Sequence, residues 1–219
     1  VCSSDLDFLL SQSKKGLDSI VLLEQPKSLE MVVSILSSSQ FLSDTLIQNP
    51  HYFDWFCSLD QIVNTKRRID YYSDIFEELH PEKTRNDWYG TLRNIRRREI
   101  LRIALRDIMM ETSLRSITSE LSYLAETLIQ CSLIYACRGV TKDYTDRLCI
   151  IGFGKLGGTE LNYSSDIDLI AVFDTRSLSK EKVIESSRII KKCIKQCLNT
   201  RSEEHTSELQ SPCNLVCRL

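Results

Sequence analysis

Two short apolar runs flank a glycine-rich polar segment, and this arrangement constrains the fold more than any other feature of the chain. The first run covers residues 148–153 and ends in Gly154-Lys155; a loop carrying Gly157 and Gly158 follows. The second opens with Ser165-Asp166-Ile167-Asp168-Leu169 and continues to Phe173. The pattern predicts a strand, a tight turn and a second strand. Side chains alternate faces along a strand, so Asp166 and Asp168 share one face while Ile167 and Leu169 share the other. Their Cα atoms would lie about 7 Å apart, close enough for both carboxylates to reach one metal site. Hard cations take carboxylate oxygens, and glycine lets backbone N–H groups approach phosphate. The pattern therefore suits a site for Mg²⁺ and a triphosphate. An isolated Asp-x-Asp is often only solvated surface. Here the pair sits inside an apolar run, with a Gly-Lys turn twelve residues upstream.

The spacing Gly154-Lys155, ten residues, Asp166-Ile167-Asp168 resembles the signature of the polymerase-beta-like nucleotidyltransferase superfamily. A small residue usually follows the glycine there, and Lys155 departs from that pattern. The fuller string GFGKLGGTELNYSSDIDLI resembles the glutamine synthetase adenylyltransferase family, in which lysine is usual. Asn162-Tyr163-Ser164-Ser165 and the string Leu121-Ser122-Tyr123-Leu124-Ala125-Glu126-Thr127 resemble the N-terminal, adenylyl-removing head rather than the adenylylating one.

The resemblance implies that Asp166 and Asp168 are catalytic and hold Mg²⁺. It implies that Gly154, Lys155, Gly157, Gly158 and Ser165 form the nucleotide-binding turn, with Ser165 fixing the strand entry rather than touching metal. The implied reactions are transfer of AMP from ATP to a tyrosine of glutamine synthetase, or its phosphorolytic removal as ADP. Removal is favoured for this head, under a PII-type regulatory protein. A third carboxylate belongs on a later strand in the superfamily. Leu198-Asn199-Thr200-Arg201 resembles the segment before it, but no third acid follows. Asp174 shares parity with the pair but would lie about 20 Å along the strand from Asp168, and Glu160 sits in the loop. The chain is thus expected to be a truncated head, inactive by itself.

Both ends resemble translated sequencing-adapter DNA: residues 1–6 as a scar and 201–219 as a disordered tail. Setting them aside removes four acids (Asp5, Glu203, Glu204, Glu208) and two arginines (Arg201, Arg218), so 30 acidic and 28 basic residues become 26 of each. A neutral chain offers no charge-based case for nucleic-acid or membrane binding. The remaining cysteines, Cys57, Cys131, Cys137, Cys149, Cys193 and Cys197, include no CxxC pair and read as free thiols of a cytoplasmic protein. Cys193 and Cys197 lie one helical turn apart, which suits a buried face better than a metal. His51 and His80 read as helix-end or loop residues, and no run of eighteen apolar residues marks a membrane span.

The rest reads as helices. Residues 7–25 have weak helical periodicity. Leu29, Val32, Val33 and Leu36 form a stripe, and Ser39 caps a helix carrying Phe41, Leu42, Thr45, Leu46 and Ile47 that ends at Asn49-Pro50. Tyr52, Phe53, Trp55 and Phe56 read as core, with base stacking the alternative. One helix is expected over 60–79 and a long one over 86–111, with Trp88, Leu92, Ile95, Leu101, Ala104, Leu105 and Ile108 as its apolar positions. On the latter, Arg98, Arg102 and Arg106 form a ridge, read as a solvated face whose stems cover apolar surface. The alternative is a platform beside the nucleotide or an acidic partner. A further helix over 112–138 carries Leu114, Ile117, Leu121, Leu124, Leu128 and Cys131, with Gly139 at its end; 182–198 reads as a final helix covering the sheet.

The expected fold is α+β: a helical region (7–140) packed on a truncated polymerase-beta-like α/β core (141–200). Two other readings share parts of the pattern. A small-molecule or toxin–antitoxin nucleotidyltransferase shares the turn and acidic pair but not the long helical lead-in. A non-catalytic helical interaction module would not need the intact spacing.

Overall fold

The computed structural model describes residues 26–56, 60–79, 85–110, 112–176 and 178–202, with Ser3, Asp5 and Asp7. The expectations for residues 8–25, Cys57, His80 and residues 203–219, and for the side chains of Phe56, Cys193 and Cys197, lie outside the described residues. The described chain is α+β, mostly helical with one two-stranded antiparallel sheet. It divides into two compact units, residues 1–66 with 95–120 and residues 67–94 with 121–219.

The first unit begins with α1 (Pro26–Ser38), α2 (Gln40–Gln48), α3 (His51–Phe56) and α4 (Asp60–Val63). Helix α1 buries Ser28, Met31, Val32 and Ile35, spaced i, i+3, i+4, i+7. The predicted stripe was one residue out of phase, since Leu29 is 48% and Val33 55% exposed. Six apolar residues between positions 29 and 36 offer two helix faces, and packing against α2 selects one. Ser39 stands at the N-cap of α2 with extended backbone but makes no side-chain capping bond, and Asn49 ends the helix. Tyr52 and Phe53 are buried, in keeping with a core role.

The helix expected over 60–79 is interrupted at residues 64–67, and α5 (Arg68–Glu78) starts afresh. The reason is a set of long-range bonds that take the backbone out of helical pairing. Arg102 Nη1 donates to the Asn64 carbonyl at 3.2 Å, and the Lys66 N–H donates to Glu120 Oε1 at 3.0 Å.

These bonds belong to a buried ionic cluster that overturns the reading of the arginine ridge. Arg102 comes from α6 (Arg85–Met110) and Glu120 from α7 (Leu114–Ala136). Arg102 and Glu120 are fully buried, and Arg106 nearly so. Arg102 pairs with Glu99 at 2.7 Å and with Glu120; Arg106 pairs with Glu120 and donates to Ser116 Oγ at 2.7 Å; Lys66 pairs with Glu99 at 2.8 Å. Neither a solvated face nor a nucleotide platform describes Arg102 or Arg106. The counter-charge missed in sequence, Glu120, lies on the next helix. Arg98 and Lys66 lie over the Trp55 ring at 4.8 and 5.5 Å, leaving that ring to cations rather than bases.

In the second unit Trp88, Leu92, Leu121, Leu124 and Cys131 are buried, as the stripes on α6 and α7 predicted, and α5 adds the buried Tyr71 and Ile75. Ile108 and Leu114, assigned to those stripes, are exposed. The Arg138 guanidinium lies 4.3 and 4.6 Å from the centres of the stacked Trp88 and Tyr135 rings. Gly139, at φ +80°, follows the end of α7 as a left-handed turn residue. A short helix, α8 (Lys142–Thr145), leads into β1 (Leu148–Phe153), which pairs antiparallel with β2 (Asp168–Phe173). Between them lies α9 (Gly154–Gly157), and α10 (Lys180–Ser202) follows. One face of the hairpin, carrying Ile151, Phe153 and Val172, remains exposed, so the predicted final helix leaves it open. Among the described residues no helix is long and apolar enough to cross a membrane.

Candidate active site

The hairpin ladder ends where the backbone of Gly154 turns at φ +56°, a conformation that L side chains rarely adopt. Phe153, the last residue of β1, pairs with Asp168, the first of β2. Strand β2 therefore begins three residues later than the run from Ser165 suggested. β1 has turned away at Gly154, so residues 165–167 have no strand to pair with. Asp168 is placed against the turn: its Oδ2 would lie 3.4 Å from a Cβ on Gly154.

Asp166 stands just outside the strand, yet the alternation persists through it. Asp166 and Asp168 are exposed, while Ile167 and Leu169 are buried. The two buried side chains anchor the segment from below and leave both carboxylates to solvent. Their exposed oxygens are hard donors of the kind Mg²⁺ takes, and Mg²⁺ commonly uses one or two carboxylates with substrate phosphates completing its shell. The pair fits such a shared ion. Among the described residues no cluster of three or more His, Cys, Asp or Glu side chains could hold a metal through protein ligands alone.

The turn is shaped by close backbone approach. A Cβ on Gly157 would lie 2.6 Å from the Gly152 carbonyl oxygen, nearer than real Cβ atoms come, so only glycine fits there. Lys155 is exposed, and its carbonyl accepts the Glu160 N–H at 2.8 Å. Gly158 is also exposed, with the Glu160 carboxylate beside it at 3.6 Å from a Cβ position. Ser165 is engaged within the loop: its hydroxyl bonds Asn162 Oδ1 at 2.6 Å and accepts the Asn162 N–H at 2.9 Å. That geometry is a local turn lock just before the acidic pair.

Two features of the loop had no signal in the sequence. Thr159 takes φ +59°, and a β-branched residue gives no hint of a left-handed position. Ser122, inside the helical string of α7, is fully buried and accepts the Leu161 N–H at 3.1 Å. Asp174 lies beyond the far end of the ladder, after the Leu148–Phe173 pair. Hydrogen bonds from the Arg176 side chain and backbone lower its carboxyl to about 2. It is committed to Arg176 and distant in register from Asp168.

Residues 29–207 match the model of a family described as glutamate-ammonia ligase adenylyltransferase. The chain is also similar to proteins named bifunctional glutamine synthetase adenylyltransferase/adenylyl-removing enzyme. One from Shewanella woodyi is 35% identical over 154 residues, covering 66% of this chain and 16% of the relative. One from Neisseria meningitidis serogroup A is 29% identical over 174 residues, covering 77% and 19%. One from Mannheimia succiniciproducens is 26% identical over 181 residues, covering 76% and 18%. The chain thus spans less than a fifth of the length of these relatives.

Proposed function

This chain belongs to the glutamate-ammonia ligase adenylyltransferase family, and we propose that its hairpin is the nucleotide-handling part of a metal-dependent nucleotidyltransferase with a polymerase-beta-like core. Asp166 and Asp168 hold Mg²⁺, and the turn of Gly154, Lys155, Gly157 and Gly158 receives the phosphates of ATP or ADP. The protein substrate is glutamine synthetase, the activity named for the relatives. The direction favoured is phosphorolytic removal of AMP, with phosphate as acceptor and a PII-type protein as regulator.

The observation that carries this reading is the Asp168 carboxylate facing the left-handed Gly154 turn, with Asp166 exposed two residues away. Nucleotidyl transfer is an in-line displacement at phosphorus, so the protein must align the entering and leaving oxygens and offset their charge. A bound Mg²⁺ supplies Lewis-acid stabilisation of the phosphoryl oxygens. The glycine turn admits phosphate near the backbone because no side chain projects there. Lys155, exposed on that turn, adds a point charge for phosphate. Ser165 and Asn162 hold the loop that delivers the acids.

The test is binding of Mn²⁺, as a Mg²⁺ substitute, and ADP to the purified chain by water-proton relaxation. Binding in the wild type, lost at least tenfold in Asp166→Asn and Asp168→Asn and weakened for ADP in Lys155→Ala, is expected. Equal metal binding in wild type and both Asn variants would remove the basis of the reading.

A further inference from the structure

The loop of residues 158–167 leads to the acidic pair, and several of its hydrogen bonds fix its shape rather than its place. The Asn162–Ser165 bonds lie within the loop, and the Glu160 N–H returns to the turn itself. Its attachment to the helices of this unit includes the buried Leu161 and Ile167 side chains and a long-range polar contact. That contact joins the Leu161 N–H to Ser122 Oγ, 39 residues apart in sequence, at 3.1 Å in a buried setting. Ser122 is fully buried in a helix interior, where alanine has the better helix propensity and a buried hydroxyl needs bonding partners. The Leu161 amide has the same need, since a buried N–H without an acceptor is costly. Leu161 is five residues before Asp166, so losing its tether frees the segment that delivers both carboxylates.

We propose that Ser122 is a positioning residue for the acidic pair: by accepting the Leu161 amide it holds the loop so that Asp166 and Asp168 sit beside the Gly154 turn. The inference rests on the metal-binding reading above. It adds to that reading a residue on a distant helix that acts on the metal only through the loop.

The experiment compares the full chain with Ser122→Ala, with Ser122→Cys, which keeps the volume but has a poor acceptor, and with Asp168→Asn. Two quantities are read: hydrogen exchange of the 158–167 segment and the Mn²⁺ dissociation constant from relaxation enhancement. Far-UV circular dichroism monitors the helices. In both Ser122 variants the loop should exchange at least tenfold faster and Mn²⁺ should bind at least fivefold more weakly, with unchanged helical signal. Faster exchange with wild-type affinity would reduce Ser122 to a structural role and overturn the proposal. Unchanged exchange would overturn it as well, and so would loss of helix in both variants, since Ser122 would then be holding the fold. If Asp168→Asn abolishes Mn²⁺ binding while the Ser122 variants keep it, the metal reading stands and the positioning role falls. If the wild type binds no Mn²⁺, the metal reading fails and the positioning role, which rests on it, fails with it.

Discussion

Asp168 and Gly154 meet across the open end of the hairpin, with the carboxylate Oδ2 3.4 Å from where a Cβ on the glycine would project. The contact ties the charge of the site to the shape of its turn. An alanine at 154 would carry the strain of φ +56° and touch the carboxylate.

Gly154→Ala should therefore cost about 1–2 kcal/mol, the usual penalty for an L-residue in the left-handed region. Gly157→Ala should cost at least as much, about 1–3 kcal/mol by overpacking, because its Cβ would fall 2.6 Å from the Gly152 carbonyl oxygen. Urea unfolding of both variants checks this. Wild-type stability in Gly157→Ala would mean that the turn is looser than described.

Thr159 presents the opposite case, a side chain where glycine would serve better. Relief of left-handed strain at φ +59° is worth about 1–2 kcal/mol, less about 0.4–1 kcal/mol for the freer unfolded chain. Thr159→Gly should stabilise the protein by about 1 kcal/mol, seen as a higher thermal midpoint. A lower midpoint would imply that the threonine side chain makes a compensating contact.

How far the sequence disclosed all this depends on the range of the interactions. The two strands, the glycine turn and the exposure of Asp166 and Asp168 over buried Ile167 and Leu169 follow from neighbours a few residues apart, and they were legible; the antiparallel pairing of the strands, which joins Leu148 to Phe173, was not. Nor was the start of β2. It depends on where β1 turns away, so Asp166 falls outside the ladder. The stripe on α1 was misphased because six apolar residues present two usable faces. The arginine ridge was misread because Glu120 is 14 and 18 residues beyond the arginines it neutralises. Ser122 was hidden likewise, its partner being a backbone amide 39 residues away.

Cys131 and Cys149 should differ sharply in reactivity. Cys131 is buried, and desolvation pushes its thiol up to about 12, whereas Cys149 is exposed on β1. The thiolate is the reactive form, so at pH 8 iodoacetamide should label Cys149 and spare Cys131 until the chain unfolds. Peptide mapping after a short pulse decides it. Early labelling of Cys131 would show that α7 opens readily in the native state.

The buried cluster of the first unit predicts the response to acid. Burial opposes ionisation of Glu99, but Arg102 and Lys66 outweigh it through charge and hydrogen bonding, so its carboxyl is held below the usual glutamate range. A group depressed on folding contributes its stability in full above the unfolded value and loses it as pH falls through the folded one. Urea stability should thus hold from pH 7 to about 5 and decline below about 4.5. Glu99→Gln should flatten that decline, because the titrating group is gone. Arg102→Ala should be worse at neutral pH, costing about 3–5 kcal/mol, since it leaves Glu99 and Glu120 buried with fewer cations. If Arg102→Ala unfolds at the wild-type urea midpoint, the cluster is not the buried assembly described. If Glu99→Gln keeps the full acid decline, other carboxylates govern it.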